Sequence, residues 1–278
     1  MGSYLRPTRL SEAVAALAGR PHVIVAGGTD FYPARVGRPL DEDILDITAI
    51  DELRRISDEG SHWRIPALVT WSELVAADLP PLFDGLKRAA REVGGIQIQN
   101  VGTICGNLCN ASPAADGIPN LLTLEAEVEL ASASGSRRLP VAGFVQGNRR
   151  TARKPDELVA AIRVPKPARP ARSTFLKLGA RTYLVISIVM VAGVIETGPD
   201  GRIAAARFAV GACAPTARRL PALEQALIGE KPSPALGGLV RPEHLAPLSP
   251  IDDVRGTAAY RRDATLTLLR RAIQELAA

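Results

Sequence analysis

Two glycine-bearing turns carry the residues best suited to chemistry in this chain. They are Val25-Ala26-Gly27-Gly28-Thr29-Asp30-Phe31 and, further along, Thr103-Ile104-Cys105-Gly106-Asn107. Each follows an apolar residue or run, Val23 to Ala26 in the first case and Val101 in the second. Both read as a buried strand ending in a turn where the backbone must come close to something. Glycine has no Cβ to block that approach, and neighbouring N–H groups can converge on an anion such as a diphosphate. A single Gly-Gly pair commonly marks only a tight turn. Two such turns in one domain indicate a pyrophosphate gripped from both sides. Neither matches G-x-G-x-x-G, and no G-x-x-x-x-G-K-[ST] occurs, so the Rossmann and P-loop readings fail.

Two charged residues add to this constellation. Asp116 closes the segment Asn110-Ala111-Ser112-Pro113-Ala114-Ala115-Asp116, a loop of small residues beside the second turn. A carboxylate there can accept a ribose hydroxyl, or it can cap a helix starting at Gly117. Lys177 alternates with Phe175 and Gly179 on one strand face, and a lysine turned inward needs an anion or a polar acceptor. The usual catalytic groupings are missing. His22, His62 and His244 are far apart, and His22 reads as a surface residue at a strand edge. No G-x-S-x-G elbow occurs, and Cys105, Cys109 and Cys213 are one thiolate short of an iron–sulfur ligand set. No catalytic side chain and no metal site is expected.

The elements that must position these residues alternate in type. A helix is expected from about Thr8 to Leu17, then the strand ending at Ala26, with Asp30 placed as a helix N-cap ahead of Pro33. Ile44–Ile47 reads as a strand. Leu53–Ile56 and Trp63–Ala67 read as a hairpin around Asp58-Glu59-Gly60-Ser61. Helices are expected from Trp71 and over Leu86–Val93, the latter stopped by Gly94-Gly95. Glu127–Leu130 alternates as a half-buried strand, and Ser134-Gly135-Ser136 turns into Arg137–Pro140. Between Arg163 and Ser173 the composition shifts to Pro, Lys, Ala and Arg, the best domain boundary in the chain. Beyond it come Phe175–Leu178, an apolar run from Tyr183 to Ile195, a strand over Ala206–Gly211 and a final helix from about Asp263. That helix carries Leu266, Leu269, Ile273 and Leu276 on one face.

Composition limits the function class. The 278 residues suffice for two domains, and 46% hydrophobic with 23% charged residues describes an ordered globular protein. A net charge of +5 without a like-charge block gives no nucleic-acid signal. The basic stretch Arg149–Arg181 reads as a solvated face or linker, or more sharply as an anion-binding surface. Three cysteines cannot build a disulfide framework, no signal peptide is recognisable and no apolar run spans a membrane. A cytoplasmic α+β protein in two unequal parts is the expectation.

The ordered segments AGGTD, QIQNVGTICGNLCNASPAAD, KPDELVAAIRVP, FLKLGAR and VRGTAAYRR resemble the FAD-binding medium subunit of molybdenum hydroxylases, the family of carbon monoxide and xanthine dehydrogenases. The resemblance runs over nearly the whole chain. It implies a two-lobed FAD-binding domain of the vanillyl-alcohol-oxidase (PCMH) type over residues 1–168, with lobes at about 1–57 and 58–168. A smaller C-terminal α/β domain of the carbon monoxide dehydrogenase flavoprotein type would follow over 169–278. It further implies that Val25, Ala26, Gly27, Gly28, Thr29, Asp30 and Phe31, with Thr103, Ile104, Cys105, Gly106 and Asn107, wrap the FAD diphosphate. Asp116 would contact the ribose or ribityl region, and Val159 and Lys177 would lie near the flavin, where Lys177 would favour the anionic reduced ring.

The implied partners are a small subunit with two [2Fe–2S] clusters and a large molybdopterin subunit. Electrons would pass through FAD to NAD⁺, oxygen, a quinone or a carrier protein. The sequence departs from the family pattern in two places. Cys105 replaces the first glycine of the second turn's usual pair, and Gln99 stands where relatives often carry arginine. A Cβ at position 105 costs on the order of 1 kcal/mol if the backbone there is left-handed, and nothing of that kind if it is not. A flavin-free assembly subunit and a free-standing flavoprotein oxidoreductase are the alternatives.

Overall fold

The computed structural model describes residues 2–278. The N-terminal lobe is a three-stranded parallel sheet, ordered Tyr4–Leu5, Ile44–Asp46, Val23–Val25. Parallel strands need crossover connections, and helix Leu10–Gly19 supplies the one from Tyr4–Leu5 at one edge to Val23–Val25 at the other. It buries Ala13, Val14 and Leu17. Its start lies two residues later than the sequence signals suggest, because Glu12 turns back to the backbone of Thr8 and Arg9.

The second lobe is a five-stranded antiparallel sheet, ordered Ser57–Asp58, His62–Pro66, Leu158–Pro165, Glu127–Ser132, Gly135–Pro140. The expected hairpin forms, but its first arm is shifted. Leu53 is fully buried in a short 3-10 turn, so pairing begins only at Ser57. Helix Trp71–Ala76 opens on a capping box in which Thr70 and Glu73 bond reciprocally. Helix Asp84–Glu92 ends before Gly94, whose φ of +58° suits a residue without Cβ.

The second turn is entered from a helix, Ile96–Val101, not from the buried strand expected before it. None of its six residues is buried.

The C-terminal part is an antiparallel sheet ordered Ala171–Leu178, Val189–Thr197, Ile203–Gly211, Arg218–Arg219, covered by helices Pro221–Leu227 and Ala258–Leu276. The apolar run from Tyr183 is not one element. Tyr183, Leu184 and Ile186 are exposed in a loop, and the strand begins at Val189. The last helix starts at Ala258, capped by Thr257, before its apolar face begins. Its Arg261 is 2% exposed and donates to the carbonyls of Ile188 and Ala212 and to Asp253. That arginine belongs to the closing VRGTAAYRR segment. Its place in the fold is to join the helix to the sheet.

The first two lobes share one apolar core and the C-terminal sheet has its own, with Ala89, Phe175, Met190 and Ala192 packed as a small third cluster. Gly85, whose would-be Cβ stands 2.8 Å from the Thr174 carbonyl, lets helix Asp84–Glu92 close onto the strand Ala171–Leu178. No described helix is long and apolar enough to cross a membrane.

Candidate functional site

The two glycine turns touch. A methyl group placed on Gly27 would stand 1.9 Å from the Val101 carbonyl oxygen and 3.0 Å from Gly102 Cα. One placed on Gly102 would stand 2.8 Å from the Ile98 carbonyl oxygen and 3.4 Å from Thr29 Oγ1. The backbone leaving the first strand therefore lies directly on the backbone that enters the second turn. Gly28 has a φ of +68°, with the Tyr32 ring 2.5 Å from its would-be Cβ. Only glycine fits this pair of positions without displacing one turn or straining the other.

Beyond the strand end, the N–H groups of Gly27, Gly28, Thr29, Asp30 and Phe31 have no acceptor among the described residues, and the next donor, Tyr32 N–H, turns back to the Gly28 carbonyl. Buried or half-buried N–H groups in a row without partners are rare, and here they line a cavity of about 490 Å³.

The opposite wall is the start of helix Ile104–Asn110. Thr103 caps it by accepting from Gly106 N–H at 3.0 Å, and Ile104 N–H is taken by the Val69 carbonyl. Cys105 N–H has no acceptor among the described residues. Cys105 is helical with negative φ, so its Cβ strains nothing. Its Sγ points down toward the Ile65 carbonyl at 3.9 Å, and burial pushes its thiol well above the ordinary range. The departure from the family's glycine is thus absorbed by the fold. Asn107 Oδ1 is buried without a partner, held against Gly117.

Of the residues singled out in the sequence, Val25, Ala26, Gly27, Gly28, Thr29, Asp30, Phe31, Thr103, Cys105, Gly106, Asn107 and Val159 line this one cavity. Val159 sits beside the register slip of strand Leu158–Pro165 against Glu127–Ser132, and both Leu158 and Val159 line the cavity. Ile104 is fully buried and anchors the helix from below.

Asp116 and Lys177 do not reach the cavity. They bind each other, with Lys177 Nζ 2.7 Å from Asp116 Oδ2 and both side chains under a tenth exposed. Ser187 Oγ donates to the other carboxylate oxygen at 2.6 Å, and the Glu92 carbonyl accepts from Lys177 at 3.4 Å. Burial pushes the Asp116 carboxyl up against the pull of Lys177 and Ser187. Asp116 caps nothing, since its side chain makes no helix-capping bond. Lys177 meets the chain at Glu92, the residue before the cavity-lining Val93.

Several wall residues were not singled out as ligands. His22 is buried rather than at the surface, with Nδ1 on the Arg20 carbonyl. Trp71 forms part of the floor. Arg35, Arg149 and Arg153 bring three guanidinium groups to the rim. Asp30 does not cap the turn at Pro33–Arg35. It pairs with Arg149 across the cavity mouth. A basic stretch from Arg149 is visible in sequence, but its partner lies 119 residues away.

A second cleft of about 550 Å³ lies between the second lobe and the C-terminal sheet. Its arginines are already engaged, Arg138 with Glu127, Arg219 with Glu125 and Glu224, and Arg163 with Glu129 and His62, and no glycine turn borders it.

The glycine cradle, the run of free N–H groups and the cationic rim fit a dinucleotide diphosphate such as that of FAD. Comparison with known proteins agrees. Residues 1–167 match the family model of the FAD binding domain in molybdopterin dehydrogenase, and residues 174–276 match that of the CO dehydrogenase flavoprotein C-terminal domain. The glyceraldehyde dehydrogenase medium chain of Sulfolobus acidocaldarius is 31% identical over 99% of this chain and 98% of its own length. Among solved structures, carbon monoxide dehydrogenase from Hydrogenophaga pseudoflava superposes with a TM-score of 0.86 at 28% identity, covering 99% of this chain and 96% of that one. Quinoline 2-oxidoreductase from Pseudomonas putida 86 gives a TM-score of 0.89 at 25% identity, covering 100% and 97%. This chain belongs to the FAD-binding medium subunits of the molybdopterin hydroxylases, the family of the carbon monoxide and xanthine dehydrogenases, and is a subunit of an oxidoreductase complex.

Proposed function

We propose that FAD lies along the 490 Å³ cavity with its diphosphate across the junction of the two glycine turns. The chain then relays electrons from the [2Fe–2S] clusters of a small partner subunit, supplied by a large molybdopterin-binding subunit, to an external acceptor such as NAD⁺, oxygen, a quinone or a carrier protein. The observation that carries this reading is the interlock of Gly27 with Val101 and Gly102, which brings both sets of free N–H groups to one place.

FAD, when bound, supplies the exchange between one-electron iron–sulfur carriers and the final acceptor. The chain's own residues bind and orient it. The N–H groups of Gly27 to Phe31 and of Cys105 present fixed partial positive charge to the diphosphate without any side-chain ordering. Thr103 holds its turn in shape through Gly106. Val25, Leu158 and Val159 form an apolar wall that keeps water from one side. Asp116 and Lys177 are proposed to act on the flavin end as a unit, because a ligand group would have to break a 2.7 Å buried pair to reach either alone.

A boundary near residue 168, between strands Leu158–Pro165 and Ala171–Leu178, separates the flavin domain from the C-terminal domain in this reading. A cytoplasmic setting suits three free thiols.

The test is the visible spectrum of the purified chain before and after adding FAD, with the released cofactor identified. Flavin bands, about one FAD per chain and their loss in Gly28→Val are the expected results. A chain that stays colourless both alone and within its assembled complex would instead favour a flavin-free assembly subunit.

A further inference from the structure

The first glycine turn carries a carboxylate where an anion must come in. Asp30 directly follows Gly27-Gly28-Thr29 and lines the same cavity as their free N–H groups. An uncompensated negative charge there opposes any diphosphate. The charge is not left open. Arg149 donates from Nη1 to Asp30 Oδ2 at 2.8 Å and from Nη2 to Oδ1 at 3.1 Å, and Asn110 Nδ2 adds a contact at 3.4 Å. This is the forked geometry in which arginine binds a carboxylate most specifically.

The arginine is also held in place from behind. It lies in the turn between strands Val145–Gly147 and Arg150–Thr151, with φ at +55°, a conformation uncommon for any residue but glycine. Its N–H donates to the Ala111 carbonyl at 3.3 Å, and Ala111 is the C-cap of helix Ile104–Asn110, whose other end is the second glycine turn. Arg149 is therefore referenced to one turn through its backbone and to the other through its side chain. The remaining rim cations are engaged elsewhere. Arg35 is on Glu42 and the Phe31 carbonyl, and Arg153 is on the carbonyls of Lys154 and Glu157.

We propose that Arg149 is a positioning residue for the cofactor. It cancels the charge of Asp30 at the point where the first glycine turn must accept a diphosphate. The proposal rests on the dinucleotide reading of the cavity. Asp30 and Arg149 are 46% and 58% exposed, so the electrostatic part of the effect is partly screened and must weaken with salt.

The experiment is a comparison of FAD dissociation constants by flavin fluorescence. It uses the full-length deflavinated chain and the variants Arg149→Asn, Asp30→Asn and the double variant, at low and high salt. Asparagine tolerates left-handed backbone, so Arg149→Asn removes the charge without straining the turn. Arg149→Asn is expected to weaken FAD about tenfold at low salt, and less at high salt. Asp30→Asn keeps the backbone N–H and leaves the Arg149 cation uncompensated beside it, so it should bind FAD at least as tightly as the parent at low salt. The double variant should recover to within about threefold of the parent, because the carboxylate that needed cancelling is gone. That rescue is something a purely structural role for Arg149 would not give. A double variant as weak as Arg149→Asn, or an Arg149→Asn chain that binds as the parent does, overturns the proposal alone. A parent chain that takes up no FAD overturns the cavity reading and the proposal with it.

Discussion

Replacing Gly27 by alanine tests the interlock of the two turns more sharply than any change at a ligand-facing side chain. The added methyl would sit 1.9 Å from the Val101 carbonyl oxygen and 2.6 Å from its carbon. Ordinary contact needs about 3.4 Å or more, so the turns must part by more than about 1 Å. Both obstructing atoms are backbone, fixed by the Gly102 N–H to Ile98 carbonyl bond of 2.7 Å and the Trp71 N–H to Gly102 carbonyl bond of 3.1 Å. No side chain can swing aside to relieve the clash. Overpacking of this kind costs about 1–3 kcal/mol.

Parting the turns also separates the two sets of N–H donors, so the cost should fall on FAD binding at least as heavily as on folding. An affinity loss of about 100-fold corresponds to about 2.7 kcal/mol. The assay is an FAD titration followed by flavin fluorescence, with a thermal melt of the same sample. Gly143→Ala is the control, since nothing lies within 4 Å of its would-be Cβ. A Gly27→Ala chain that binds FAD within threefold of the parent would refute the interlock as the basis of the site.

Further outcomes follow from the same geometry. Cys105→Gly should not tighten FAD binding, because Cys105 is already helical. It should cost about 1–2 kcal/mol in a denaturant melt through lost packing and helix propensity. Lys177→Met strands a buried carboxylate and should destabilise the chain by about 3–5 kcal/mol at neutral pH, and adding Asp116→Leu should recover much of that loss. The pH dependence has a definite sign. The Asp116 carboxyl is raised in the folded state, so the fold binds its proton more tightly than the unfolded chain does. In the Lys177→Met chain the deficit should therefore shrink as pH falls through the folded value of Asp116 toward its unfolded value near 4. Urea melts at several pH values would check it, and a deficit independent of pH would contradict it. Cys105 and Cys213 are buried with raised thiols, and a thiol reagent should label them only after unfolding. Cys109, half-buried on the cavity wall and pushed up to about 11, should react slowly in the native chain.

The glycine turns were legible in sequence because their signal is local: an apolar residue or run, then residues that only a close backbone approach explains. What they approach was not legible. That Gly27 packs on Val101 is a contact between two lobes, and Val101 closes a helix where a buried strand was expected. The charged residues show the same limit. Lys177 was read as turned inward and in need of an anion, and Asp116 as a ribose acceptor or a helix cap. Nothing in either segment reveals that each is the other's partner.

Arg149 was visible as part of a basic stretch, yet its role depends on Asp30, which local signals cast as a helix cap. The last helix starts at Ala258, ahead of the expected Asp263, because its first turn precedes the apolar face that marks it in sequence. Only the carbonyls of Ile188 and Ala212 explain why Arg261 is buried. Local chemistry was readable wherever the backbone itself carries the function, and not where two distant side chains meet.

The central claim is that backbone N–H groups of both turns hold the diphosphate. Hydrogen–deuterium exchange of the full-length chain, with and without saturating FAD, measures those groups directly. The amides of Gly27 to Phe31 and of Cys105 have no acceptor among the described residues and should exchange fast without the cofactor. With FAD they should slow together by about 100-fold or more, while the cleft at Arg138 and Arg219 stays unchanged. FAD binding that leaves either turn unprotected would contradict a diphosphate held between them.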